Sequence, residues 1–238
     1  MAKPIVLVHG AWHAGWCWKY ITPILEQQGH RTIAVDLPGH GDNIMDFNNI
    51  HLSTYVGYLV TLIQSLGEPV IVVGHSLAGV AISQVGENIP ELIKKLFYVT
   101  AYLPESGGSL ISEVGKSSYQ PLSPELLIDV KRNRIELKKS SKITDLFYNL
   151  CSEEDNYFSI HSLQKEPYRP FTETIHVTES RFGKIKKIYI ECLKDNVIPR
   201  EEQKRMYSQH RCKVVSLDAD HSPFFSSPHL LANAILTV

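Results

Sequence analysis

The segment Gly74-His75-Ser76-Leu77-Ala78-Gly79 lies between an apolar run, Val70 to Val73, and a stretch with helical spacing. A serine in that context stands on a sharp strand-to-helix turn, which pushes its hydroxyl out at the carboxyl end of a sheet. A hydroxyl is a weak nucleophile unless a base takes its proton, and the base needs an acid to orient it. The expected chain order is serine, acid, histidine. Asp195 follows a strand ending at Cys192, and His221 follows one ending at Leu217. Both emerge at the sheet end where Ser76 emerges, which is where open α/β sheets carry their sites. Together the three residue types perform acyl transfer through a covalent acyl-serine.

Eleven histidines compete for the base. His9, His13, His40 and His75 precede or abut the serine, the wrong order; His161 and His176 fall in a later insertion, His210 in a helix, and His229 begins the last helix. That leaves His221. Asp218 and Asp220 rival Asp195 as the acid, but Asp220 adjoins His221 in sequence and reaches its ring with difficulty. The serine motif departs from Gly-x-Ser-x-Gly, with Ala78 in the second glycine's place and Gly79 one position later. Alanine adds one methyl, which the turn is expected to accept; the competing reading of Ser76 is a helix N-cap.

Attack on a carbonyl creates an oxyanion that needs rigid backbone N–H donors. Leu77, directly after the serine, is expected to supply one. Ala11, in the loop His9-Gly10-Ala11-Trp12 after the first strand, is the candidate for the other, with Gly10 leaving space for substrate. Trp12, Tyr102, Phe224 and Phe225 follow strand ends at the same edge and are candidates for a substrate pocket, with core packing as the alternative.

The elements that must hold these residues alternate. Ile5 to Val8, Arg31 to Val35, Val70 to Val73, Leu96 to Thr100, Lys187 to Cys192 and Lys213 to Leu217 read as six strands. Between them, Trp18, Ile21 and Leu25 mark one helix stopped near Gly29, and Tyr55, Leu59, Leu62, Ile63 and Leu66 mark another stopped by Gly67. Helices are also expected over Leu77 to Asn88, around Glu201 to Gln209, and at the carboxyl end with Leu231, Ala234, Ile235 and Val238 inward. This order predicts an α/β fold, a mainly parallel six-stranded doubly wound sheet.

Residues 103–182 break the alternation with Pro104, Pro121, Pro124, Pro167 and Pro170. We expect a helical cap there, with Ser123 capping a helix that starts at Pro124, and a core domain made of residues 1–102 and 183–238. Lys131, Arg132, Arg134, Lys138, Lys139 and Lys142 are expected on a solvated helix face of that cap.

Composition narrows the function classes. The 238 residues are 43% hydrophobic and 21% charged with a net charge of -1, so nothing argues for a nucleic-acid partner. Cys17, Cys151, Cys192 and Cys212 are widely separated and form no zinc or redox motif, which leaves no metal or cofactor expected. The apolar run at 4–8 is too short to cross a bilayer, and the expected compartment is the cytoplasm.

Val8-His9-Gly10-Ala11-Trp12, Asp36-Leu37-Pro38-Gly39-His40-Gly41, the serine turn, the Asp195 loop and His221 together resemble the α/β-hydrolase superfamily. The resemblance is nearest to the branch of plant methyl esterases, the salicylate-binding esterase, hydroxynitrile lyases and bacterial carboxylesterases. It runs over most of the chain, including Leu150 to Asp155 and Gly183 to Pro199, and is weakest at 105–140; Ser222-Pro223-Phe224-Phe225 looks bacterial. It implies Ser76 as nucleophile, Asp195 as acid, His221 as base and Ala11 and Leu77 as oxyanion donors, acting on a small neutral ester. Self-association as a homodimer is left open. The alternatives carried forward are cyanohydrin cleavage on the same scaffold and a non-catalytic ligand receptor.

Overall fold

The computed structural model describes residues 2–238. Four strands come first: β1 (Ile5–Val8), β2 (Thr32–Val35), β3 (Val70–His75) and β4 (Ile93–Val99). A long insertion follows, holding the short strands β5 (Leu126–Asp129), β6 (Arg134–Leu137) and β7 (Glu166–Pro167). The chain then returns to the main sheet with β8 (Lys187–Cys192) and β9 (Cys212–Leu217). The main sheet has the order β2-β1-β3-β4-β8-β9, with every pair parallel. Strands β1, β3 and β8 are buried along their whole length, as a sheet covered by helices on both faces requires.

The registers bring the strand ends level. Val8 pairs with both Val35 and Gly74, His75 with Val99, and Cys192 with Leu217. From β1 the chain moves outward to β2 and then crosses back to β3, so the direction of winding reverses between β1 and β3. Open sheets form their binding crevice at such a reversal. Here the Gly10 loop and the Ser76 turn are the strand ends on its two sides.

The helices Leu52–Ser65, Ala78–Asn88, Arg200–Ser208 and Pro228–Thr237 stand close to their expected spans. The first helical region splits into a 3₁₀ turn at Gly15–Trp18 and a helix at Ile21–Gln27. Gly29 and Gly67 take φ +81° and +70° just beyond helix ends, which glycine adopts without a Cβ penalty.

The insertion differs from the expected helical cap. Beside helices such as Lys142–Phe147 and Glu153–Ser162 it contains a three-stranded antiparallel sheet, β5-β6-β7, with Leu126 opposite Leu137 and Ile135 opposite Glu166. Ser123 is not a cap: it is the first residue of a 3₁₀ turn, Ser123–Glu125, preceded by Leu122. Nor does the basic cluster share one helix face: of its six residues only Lys142 lies in a helix, Lys142–Phe147. Lys131 and Arg132 sit at the β5–β6 turn, Arg134 lies in β6, and Lys138 and Lys139 follow it. Asp129 pairs with Arg132 at 3.2 Å and Glu136 with Arg134 at 3.0 Å.

All four cysteines are free, with Cys17 and Cys192 buried. Among the described residues no helix is long and apolar enough to cross a membrane.

Candidate active site

The turn after β3 holds Ser76 at φ +52°, a region a non-glycine residue enters only when its surroundings over-determine it. Those surroundings are close. Ser76 N–H donates to the Val99 carbonyl at 3.2 Å, and the Ser76 carbonyl accepts from Tyr102 N–H at 3.0 Å. A Cβ at Gly79 would stand 2.2 Å from the Tyr102 carbonyl oxygen, so the displaced glycine of the motif is needed where the chain passes that carbonyl. A Cβ at Gly10 would stand 2.8 Å from Ser76 Cβ and 2.7 Å from His75 Nδ1. Gly10 therefore lets the β1 loop press against the serine turn; contrary to the expectation that it leaves space for substrate, it is not among the residues lining the cavity beside Ser76.

His221 Nε2 lies 3.2 Å from Ser76 Oγ, and His221 Nδ1 lies 2.7 Å from Asp195 Oδ2. The His221 side chain is wholly buried. Asp195 Oδ1 accepts Val197 N–H at 2.6 Å and Ile198 N–H at 2.9 Å, while Thr100 Oγ1 donates to Oδ2. Three donors besides the histidine fix that carboxylate in place. Asp220 faces elsewhere, accepting from Leu150 N–H, Cys151 Sγ, Ser222 N–H and Ser226 Oγ. Asp218 is exposed, 4.0 Å from Lys194 Nζ.

The loop after β1 is fixed at successive peptides. The Gly10 carbonyl accepts from His9 Nδ1–H at 2.8 Å, and the Ala11 carbonyl accepts from His13 Nδ1–H at 2.8 Å. His9 Nε2 in turn accepts Leu37 N–H, and His13 Nε2 accepts the Tyr148 hydroxyl. Both rings are thus neutral with the proton on Nδ1. His75 Nε2–H donates to the His221 carbonyl at 2.8 Å. Burial pushes His9 and His75 well below the ordinary histidine range, with neighbouring imidazoles adding to the effect, and it pushes His13 down to about 3. A peptide N–H points away from the preceding carbonyl, so anchoring Gly10 C=O directs Ala11 N–H the other way. Among the described residues neither Ala11 N–H nor Leu77 N–H meets a protein acceptor.

A cavity of roughly 220 Å³ opens on Ser76, Ala11 and Leu77. Trp12 and Tyr102 line it, as expected, together with apolar side chains of the insertion and of the segment after Asp195, including Leu126, Ile135, Phe171 and Ile198. Phe224 and Phe225 do not line it. Phe224 is buried edge-on against Trp18 and His75, with ring centres 5.3 and 5.0 Å apart, and Phe225 stacks on Trp16. They begin a short helix, Pro223–Ser226, that turns them away from the cavity.

Thr100 escaped the sequence reading, although its place after β4 at the catalytic edge was a usable signal. Arg205 also lines the cavity; it pairs with Glu113 at 2.8 Å and Glu202 at 2.9 Å, and Glu113 lies far away in sequence. Among the described residues no group of three or more His, Cys, Asp or Glu side chains is placed to hold a metal ion.

Residues 5–234 match the pattern of the alpha/beta hydrolase family. This chain belongs to that family. Among its hydrolase relatives, methylesterase 7 of Arabidopsis thaliana is 30% identical over 99% of this chain and 96% of its own length. The putative chloroplastic methylesterase 11 of the same plant is 34% identical over 98% of this chain, which spans only 63% of that protein's length. The crystal structure of a pyrethroid hydrolase from Sphingobium faniae JZ-2 superposes with a TM-score of 0.86 at 27% identity, covering 99% of this hydrolase and 96% of that chain.

Proposed function

We propose that this hydrolase is a serine carboxylesterase for small neutral esters, with Ser76 as nucleophile, His221 as base and Asp195 as acid. The observation that carries the reading is the continuous path Ser76–His221–Asp195 at 3.2 and 2.7 Å, opening into an apolar cavity beside two free N–H groups. Ser76 Oγ attacks the ester carbonyl carbon as His221 Nε2 takes its proton. The resulting oxyanion is met by Ala11 and Leu77 N–H, donors already in place before the charge forms. Collapse breaks the bond to the alkoxy oxygen, and His221 returns the proton to release the alcohol. Water then attacks the acyl-serine by the same proton path, releasing the acid. Asp195 stays ionised, holds the ring tautomer and offsets the imidazolium charge.

Residues 103–182 serve in this reading as a cap that shapes the cavity. Arg205 is neutralised by two carboxylates, so it gives no clamp for an anionic acyl chain. Cyanohydrin cleavage is the weaker reading: the position after the catalytic histidine holds Ser222, where hydroxynitrile lyases of the resembled branch place a lysine for the departing cyanide. The free thiols fit a cytoplasmic setting. In the deciding experiment, p-nitrophenyl acetate turnover and fluorophosphonate labelling are measured on the native chain and on Ser76→Ala. The variant should lose on the order of 10⁴-fold or more in kcat and all labelling. Retention of a tenth of the turnover, or cyanide release from mandelonitrile that depends on Ser76, would overturn the assignment.

A further inference from the structure

Glu166 is a carboxylate in β7, wholly buried, and it touches no member of the triad. Its Oε2 accepts Trp12 N–H at 2.8 Å and lies 2.8 Å from His40 Nε2, while Oε1 accepts the Tyr55 hydroxyl at 3.0 Å. Two residues earlier, Gln164 N–H donates to the Trp12 carbonyl at 2.9 Å, and Gln164 Oε1 accepts Gly41 N–H at 2.8 Å. The insertion thus grips Trp12 on both its N–H and its C=O.

Trp12 needs that grip. It stands at φ +62°, which is unfavourable for a bulky residue and persists only where neighbours impose it. Its N–H belongs to the Ala11–Trp12 peptide, whose carbonyl is already held by His13. With both ends of that peptide fixed, Ala11 has little freedom, and Ala11 N–H projects from the same Cα. Stability alone does not account for a buried carboxylate beside a buried imidazole, because replacing such a pair with apolar side chains is often neutral or stabilising.

We infer that Glu166 is a positioning residue for the oxyanion hole: by holding Trp12 N–H it fixes the peptide next to Ala11 so that Ala11 N–H faces the oxyanion on Ser76. The inference rests on the esterase reading above. It makes the insertion part of the catalytic frame as well as a wall of the cavity, since β7 contributes an acceptor to the loop after β1.

The test compares kcat and KM for p-nitrophenyl acetate in the native chain, Glu166→Leu, Glu166→Gln and Tyr55→Phe, each normalised to serine labelled to completion with a fluorophosphonate. Glu166→Leu should lose about 10- to 100-fold in kcat, the scale of an ångström-sized misplacement, with KM within about threefold. Glu166→Gln keeps an oxygen for Trp12 N–H and should recover most of the loss. Tyr55→Phe removes only the Oε1 partner and should stay within about twofold of native. Should Glu166→Leu fail to fold, Glu166→Asp replaces it, because the shorter arm withdraws the acceptor and kcat must fall below that of Glu166→Gln. Native kcat in the Leu or Asp variant overturns the inference, and so does a Gln variant as slow as Leu. A native chain that neither labels nor turns over overturns the esterase reading itself, a result these variants cannot imitate.

Discussion

Acidification from pH 7.5 to 5.5 should destabilise the folded chain by at most roughly three powers of ten in its folding equilibrium, about 4 kcal/mol before the opposing share of His40 is subtracted. The perturbation acts on His9, His13 and His75, all wholly buried. In His9 and His13 one ring nitrogen donates and the other accepts, so a second proton would break a hydrogen bond. Burial holds His9 and His75 well below the ordinary range and His13 at about 3. Once unfolded, each ring regains an ordinary value near 6.5. Below that value the unfolded chain binds protons that the folded chain refuses, so stability falls with pH and keeps falling toward the folded values. Over this interval each ring contributes about a factor of ten. His40 opposes them: burial lowers its affinity for a proton, but Glu166 more than compensates and holds it above the ordinary range. Its stabilising share is therefore present at low pH and lost as pH rises through the folded value, and it subtracts from the acid effect. Urea titrations followed by tryptophan fluorescence at pH 7.5, 6.5 and 5.5 measure the slope, and His13→Gln should reduce it by about one proton. A stability that changes by less than about 1 kcal/mol across the interval, or a slope unaffected by His13→Gln, would refute the account of neutral buried imidazoles.

Three further outcomes are expected. Gly10→Ala drives a Cβ against Ser76 and His75 and should cut kcat by about 100-fold or more in the p-nitrophenyl acetate assay; native turnover would show that the loop can retreat. Thr100→Val removes one donor to the Asp195 carboxylate, a charged hydrogen bond worth about 1.5–3 kcal/mol. Its kcat should drop roughly 10- to 100-fold, and an unchanged rate would mean that Val197 and Ile198 suffice. Phe224→Ala should cost about 3–5 kcal/mol in urea unfolding yet leave the ranking of acetate, butyrate and benzoate esters unaltered, because Phe224 lies outside the cavity.

The parallel sheet could be read from the sequence because its strands are continuous apolar runs, such as Ile5–Val8 and Val70–Val73, with helical periods between them. Chain order and strand ends were enough to nominate Ser76, Asp195 and His221 together, since residues that close successive strands of a parallel sheet meet at one edge. The small sheet of the insertion was hidden for the opposite reason. β5 reads Leu-Leu-Ile-Asp without alternation and β7 is two residues containing a proline, so tertiary pairing and not local pattern makes them strands. For Phe224 and Phe225 the choice between pocket and core stayed open, because sequence places a residue near an edge but not the direction its side chain takes. Glu166 and the Arg205 pairs share that obstacle: each is defined by partners on distant segments, and an acidic residue in a polar stretch looks like ordinary surface.

One consequence of the strand order concerns the time at which reactivity arises. β4 and β8 are neighbours in space but lie on either side of the whole insertion. Ser76 belongs to the amino-terminal side of that seam, and Asp195 and His221 to the other. Closing a long loop costs entropy that grows only slowly with its length, about 0.6 kcal/mol per doubling, so the insertion can vary in size at little thermodynamic expense. Kinetically, β1 to β4 are joined by short crossovers and can associate while the rest is still being synthesised. Until β8 docks, the serine has neither proton acceptor nor orienting acid. On the proposed esterase reading, a partly made chain thus carries an unactivated hydroxyl, and reactivity toward acyl groups is expected only when the last third of the sheet is in place.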